Sequence, residues 1–113
     1  MEILDVTNDT INVVGTSLVG CVPTTYDKLV ETFGEPTYSD QSDDGKVDTE
    51  WNLEFRVLTE YCNITDTPTV EYFVATIYNW KTNGTPYGQY DWHVGGNDIR
   101  AVELVQEALE YGV

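Results

Sequence analysis

The clearest pattern along the chain is an alternation of period two. Val47, Thr49, Trp51, Leu53, Phe55 and Val57 alternate with Asp48, Glu50, Asn52, Glu54 and Arg56. Successive side chains of a strand point to opposite faces, so this spacing predicts a strand with one buried and one wet face. Thr69 to Trp80 (TVEYFVATIYNW) is aromatic and β-branched on both faces, which predicts a central strand. Ile11 to Val22 is rich in β-branched residues but broken by Gly15 and Gly20, and reads as a strand with a bulge or as two short strands. Tyr90 to Val94 reads as a short last strand stopped by Gly95-Gly96. Helical spacing appears twice. Thr24 or Thr25 caps a short helix whose inner face is Leu29, Val30 and Phe33, and Gly34 ends it before Pro36. Asn97 or Asp98 caps a second helix, where Ile99, Val102, Leu104, Val105, Ala108 and Leu109 recur until Gly112.

The order β-α-β-β-β-α predicts an α+β fold, an antiparallel sheet of about four strands with two helices packed on one face. No repeat, low-complexity tract or linker interrupts residues 1–113, so one domain is expected. Tyr38 to Lys46, the NITDTP stretch and the Asn83-Gly84 region read as loops.

Charge changes this picture most. Twenty Asp and Glu against five Lys and Arg give a formal net charge of −15. Such a field repels nucleic acid and anionic membrane and attracts basic protein surfaces. With 41% hydrophobic and 12% aromatic residues the chain is too apolar for a disordered acidic tail. Adaptation to high salt is a competing source of acidity, but such chains favour small apolar residues, and here three Trp and eight Tyr stand beside only Ala75, Ala101 and Ala108. The amino-terminal MEILDVTNDT lacks the basic and apolar regions of a signal peptide, and no apolar run is long enough to span a membrane. Cys21 and Cys62 lie outside any CxxC arrangement and read as two buried, reduced thiols, with a disulfide as the alternative.

Candidate chemistry is sparse. Asp40, Ser42, Asp44 and Gly45 match the first half of a calcium loop, but its twelfth position is Trp51, so a solvated acidic connection is expected and no metal is assigned. His93 is the only histidine and no cysteine lies near it in sequence, which does not suit zinc. Asp91 and His93 share a strand face, and a triad with Ser17 would need those three to meet, yet nothing resembles a nucleophile elbow. Gly95-Gly96 lacks the spacing of a phosphate-binding loop. Tyr87 and Tyr90, set among carboxylates, are suited to gripping Arg and Lys on a partner.

Four blocks carry a resemblance: TTYDKLVETFGEP (Thr24 to Pro36), EWNLEF (Glu50 to Phe55), ATIYNWK (Ala75 to Lys81) and WHVGG (Trp92 to Gly96). In that order the chain resembles a family of small acidic proteins encoded mainly by bacteriophages. The resemblance covers about the last four-fifths of the sequence. It implies a viral accessory protein acting in the bacterial host cytoplasm and attaches no established activity. The chain departs from the family at VLTEYCNITDTPTVEYF, a longer connection where relatives commonly have a tight Asp-Gly turn.

The leading expectation is a non-enzymatic inhibitor that occupies the basic surface of a host nucleic-acid-handling or defence protein, partly imitating DNA, with no cofactor. The partner-binding residues are then Asp40, Asp43, Asp44, Asp48, Glu50, Glu54, Tyr87, Tyr90, Glu103, Glu107 and Glu110. One alternative is a sponge for a small signalling nucleotide, with a pocket of Trp80, Trp92 and His93; another is a virion structural or assembly protein. A homodimer would form through a strand edge or the final helix, with Glu103, Glu107 and Glu110 opposing approach on one side.

Overall fold

Strand alternation and helical spacing together build an α+β fold. In the computed structural model, which describes residues 2–9, 11–39, 46–59, 69–82 and 84–112, the chain forms seven elements. They run β1 (Glu2–Asn8), β2 (Ser17–Thr24), α1 (Tyr26–Phe33), β3 (Glu50–Thr59), β4 (Thr69–Tyr78), β5 (Tyr90–Gly96) and α2 (Arg100–Tyr111). Asp40, Asp43, Asp44, Cys62, Asn83 and the NITDTP stretch fall outside the described residues.

The strands form one five-stranded sheet in the order β1-β3-β4-β5-β2, every neighbour antiparallel. The count exceeds the expected four because EILDVTN is itself a strand. It pairs with β3 at an edge and is broken by a register shift between Ile3 and Asp5, which blurs its alternation. The Ile11 to Val22 segment becomes a strand only from Ser17, and the foreseen irregularity sits between Leu18 and Gly20. Because β1 and β2 lie at opposite edges, the chain between them must cross four inter-strand spacings, about 19 Å. Val13 and Thr16 of this crossover lie beside Thr76 and Gly95, on the sheet face away from the helices.

Both helices cover the other face. Trp51, Leu53, Phe55 and Val57 of β3, Phe73, Ala75 and Ile77 of β4, and Trp92 and Val94 of β5 point into the core with Leu29, Phe33, Leu104, Val105 and Ala108. Phe33 meets Phe55 edge-on at 6.2 Å, and Trp51 meets Trp92 edge-on at 5.5 Å. Thr25 caps α1, its Oγ1 accepting from Lys28 N at 3.2 Å, and Gly34 ends it with φ 88°, a conformation that favours glycine. Asn8 Nδ2 donates to the Phe33 and Glu35 carbonyls at 2.9 and 2.7 Å, and Trp51 Nε1 donates to the Gly34 carbonyl at 2.9 Å, so β1 and β3 tie down that helix end.

Gly95-Gly96 does not stop the last strand, which continues through Gly96. The missing side chains serve close approach instead. A Cβ on Gly96 would lie 2.9 Å from Ala101 Cβ and 3.0 Å from the Val74 carbonyl oxygen, while one on Gly95 would collide with Thr76 Oγ1. These two glycines let α2 rest on one face and the crossover on the other. No helix among the described residues is long and apolar enough to cross a membrane.

Candidate functional site

The helical layer concentrates exposed carboxylates. Ala101, Leu104, Val105, Ala108 and Leu109 turn one side of α2 to the core, which leaves Glu103, Gln106, Glu107 and Glu110 on the outer side. At 1.5 Å per residue the three acids span about 10 Å of helix. No basic residue lies in the last turn of α2. On α1, Asp27 and Glu31 are exposed, and Lys28 approaches Glu31 at 3.8 Å. Arg100 is already engaged: its guanidinium grips Asp98 at 2.7 Å, lies 4.0 Å from Glu71 and sits 4.8 Å from the centre of the Phe73 ring. Hydrogen bonds from Arg100 hold the Asp98 carboxyl down to about 2. The N-cap position of α2 is Ile99, with no side-chain cap, and not the anticipated Asn97 or Asp98; Asp98, one residue earlier, receives the Arg100 backbone N–H at 2.9 Å.

The helix-free face differs in chemistry. It contains a hollow of about 260 Å³ lined by Val13, Thr16, Ser17, Val47, Glu50, Thr76, Tyr78, Trp80 and Gly95. Buried Asn79 sets its rim: Oδ1 accepts from Asp48 N at 2.8 Å and Thr49 N at 3.0 Å, and Nδ2 donates to Asp48 Oδ2 at 2.9 Å. These bonds fix the residues just before Glu50 and just before Trp80. Burial pushes the Glu50 carboxyl above its ordinary range, while a hydrogen bond from the Asn52 side chain opposes the shift. Lys46 Nζ and Lys81 Nζ each lie 5.7 Å from the Trp80 ring centre.

Strand register places Glu50, Tyr78, His93 and Cys21 in one row across β3, β4, β5 and β2. His93 stacks on Tyr78 with ring centres 5.5 Å apart, and its Nδ1 is 3.4 Å from the Tyr90 hydroxyl. That hydroxyl accepts from the Trp80 backbone N–H at 3.1 Å. Burial first, then the nearby Glu50 and Cys21, raise the Tyr78 phenol above its ordinary value. Cys21 is exposed and, among the described hydrogen bonds, makes none to His93. Ser17 pairs with Gly96, three positions beyond His93 and about 10 Å further along the strand, so Ser17 and His93 do not meet as a triad.

The anticipated residues therefore divide. Glu103, Glu107 and Glu110 form one stripe on α2. Asp48, Glu50 and Glu54 do not form a continuous exposed line. Asp48 precedes β3 and its carboxylate accepts from Asn79 and from Gly84 N at 3.1 Å, while Glu50 is largely covered in the hollow. Tyr87 is exposed with its ring edge-on to Tyr26 at 4.8 Å, whereas Tyr90 lies against Trp92 at 5.3 Å. Trp80, Trp92 and His93 do not share a pocket. Trp92 is fully buried in the core, and His93, its neighbour in the strand, points to the opposite face. Sequence reasoning gave no site role to Thr76, Tyr78, Val13 or Thr16, and considered Ser17 only as a triad member. The signal was slight: Thr76 is a lone polar residue between Ala75 and Ile77 and is 5% exposed, while Asn52, one of the alternating polar positions of β3, is 2% exposed instead of wet. Among the described residues no cluster of three or more His, Cys, Asp and Glu could hold a metal ion. Comparison with protein-family models, with curated proteins and with solved structures finds no match to this chain.

Proposed function

We propose that this chain is a phage-encoded, non-enzymatic binding protein whose acidic helical layer occupies the basic surface of a host nucleic-acid-handling or defence protein. The supporting observation is the outer side of α2, where Glu103, Glu107 and Glu110 stand with no cation in the last turn. Neighbouring like charges three and four residues apart destabilise a helix, and acids near its carboxyl end oppose the helix dipole. Glu107 and Glu110 are thus unfavourable for the helix that carries them, which suits a role outside the fold, while Glu103 sits in the first turn near Arg100. Three charges over about 10 Å are sparser than one phosphate per 3.4 Å of a DNA strand. Asp27 and Glu31 on α1 extend the acidic layer, and they are needed if it is to approach the field of a nucleic acid. DNA imitation here means similarity of field, without similarity of charge spacing.

The test is capture of a host protein from bacterial lysate at low salt with the native chain and with the triple variant Glu103→Gln, Glu107→Gln, Glu110→Gln. A basic partner held by the native chain, released steeply as salt rises and lost from the variant, is the expected outcome. A partner retained equally by both proteins at all salt concentrations would sink the reading.

A further inference from the structure

We infer that the hollow on the helix-free face is a binding site for an organic guanidinium cation, seated on Glu50 beside Thr76, Tyr78 and Trp80. The site lies across the sheet from the α2 stripe and does not depend on it.

The first observation is an acceptor-rich floor. Glu50 offers a carboxylate, and none of the ion pairs among the described residues reaches it. Asn52, next on the same face of β3, lies behind the hollow without lining it and is 2% exposed; its side chain hydrogen-bonds Glu50, and its Oδ1 has no hydrogen-bond partner among the described residues. Thr76, opposite Asn52 in the register, presents its hydroxyl over Gly95, where any larger residue would fill the space. Acceptors gathered under cover call for a ligand rich in donors. A guanidinium supplies five N–H groups in a planar fork that fits a carboxylate, and it is more weakly hydrated than an ammonium.

The walls are the second observation. Tyr78 and Trp80 stand edge to face, ring centres 6.4 Å apart, and Val13 and Val47 add apolar surface. Flat cations are held on aromatic surfaces of this kind. The chain's own Lys46 and Lys81 lie over Trp80 at the rim. An entering cation therefore meets local repulsion unless it reaches Glu50, which makes the site selective and not a general consequence of net charge. A largely covered carboxylate with no ionic partner among the described residues also costs the fold stability, a common mark of a functional position.

Titration with Nα-acetyl-L-arginine amide, followed by backbone amide NMR shifts and calorimetry, tests the site. Saturable shifts confined to Thr76, Tyr78, Trp80 and Gly95 are expected. Glu50→Gln, with its fold checked by circular dichroism, should weaken binding by about tenfold or more, since a charge-assisted contact is lost. The corresponding lysine amide should bind more weakly than the arginine amide. The Glu107→Gln, Glu110→Gln double variant should bind normally. Two further probes separate the sources of the ligand. Agmatine binding at least as tightly as the arginine amide points to a free small molecule, and a Gly-Arg-Gly peptide binding more tightly points to an arginine on a partner chain. Absence of saturation, or equal weakening by the Glu50 and the α2 variants, would overturn the proposal. Failure of host-protein capture, by contrast, would leave the hollow unaffected.

Discussion

The two faces of one sheet carry opposite designs. On the helix-covered face, large apolar side chains interlock and the polar groups lie outside, along α1 and α2. On the other face no helix lies among the described residues; a crossover strap lies over Thr76 and Gly95, and covered polar groups sit among exposed aromatics such as Tyr72 and Trp80. Acidity is distributed to match. The helical layer carries a stripe whose exposed charges act through the field, whereas the helix-free face sets Asp5 opposite Arg56 in the strand register and confines Glu50 within a hollow. The same composition thus yields a long-range charge on one side and a short-range contact on the other. Net charge alone describes only the first.

The largest effect that sharpens this contrast lies in the core. Leu104→Ala, at a fully buried position of α2, should cost about 2–5 kcal/mol in a urea-unfolding experiment. Tyr72→Ala, at a site 62% exposed on the helix-free face, should stay within about 0.5 kcal/mol. Equal losses would mean that both faces are packed alike. Next comes Gly95→Ala, which drives a methyl group against Thr76 Oγ1 beneath the crossover. Overpacking of this kind costs about 1–3 kcal/mol, and the amide NMR shifts of Val13 to Ser17 should move with it. A neutral result would show that the strap does not rest on the sheet.

The contrast also explains what could be read from the sequence. Both helices and the strand β3 follow from periodicity, because each has one face fixed against the core, and β4 and β5 follow from their aromatic and β-branched content; Ile99, expected on the inner face of the second helix, precedes α2 and is 70% exposed. β1 was missed: its edge position leaves Leu4 and Asp5 both exposed, so it keeps no clean alternation. The α2 stripe was legible because helical spacing alone places Glu103, Glu107 and Glu110 together. The hollow was not. Its residues come from β3, β4, β5 and the crossover, and only the register of non-adjacent segments brings Glu50 to Tyr78 and Thr76 to Gly95. Local pattern assigned Glu50 to water, since it alternates with core residues, and the crossover that covers this face has no periodic signal.

Smaller effects come from the stripe itself. Glu107→Gln with Glu110→Gln should raise stability by roughly 0.3–1 kcal/mol at low salt, by relieving repulsion within α2 and with its dipole. The gain should shrink in high salt, where exposed charges are screened. A loss of stability in this double variant would mean that these acids support the fold and are not carried at its expense.

The least of the effects separates the two kinds of acid. Burial raises the Glu50 carboxyl above its ordinary value of 4.5, so the folded state holds this proton more tightly than the unfolded chain does. The stability that follows is fully present below that ordinary value and is lost as pH rises through the raised one. Glu50→Gln mimics the protonated form and should therefore melt slightly higher than the native protein at pH 7. The difference should vanish as the pH falls below the ordinary carboxylate range. Asp98 behaves with the opposite sign: Arg100 lowers its carboxyl to about 2, so its contribution is present above the ordinary value of 3.8 and is lost as pH falls through about 2. Paired melting curves of Glu50→Gln and Asp98→Asn against the native chain should thus diverge in opposite directions at neutral pH. Parallel shifts would show that Glu50 is as well solvated as the acids of α2, and the distinction between the two faces would lose its electrostatic basis.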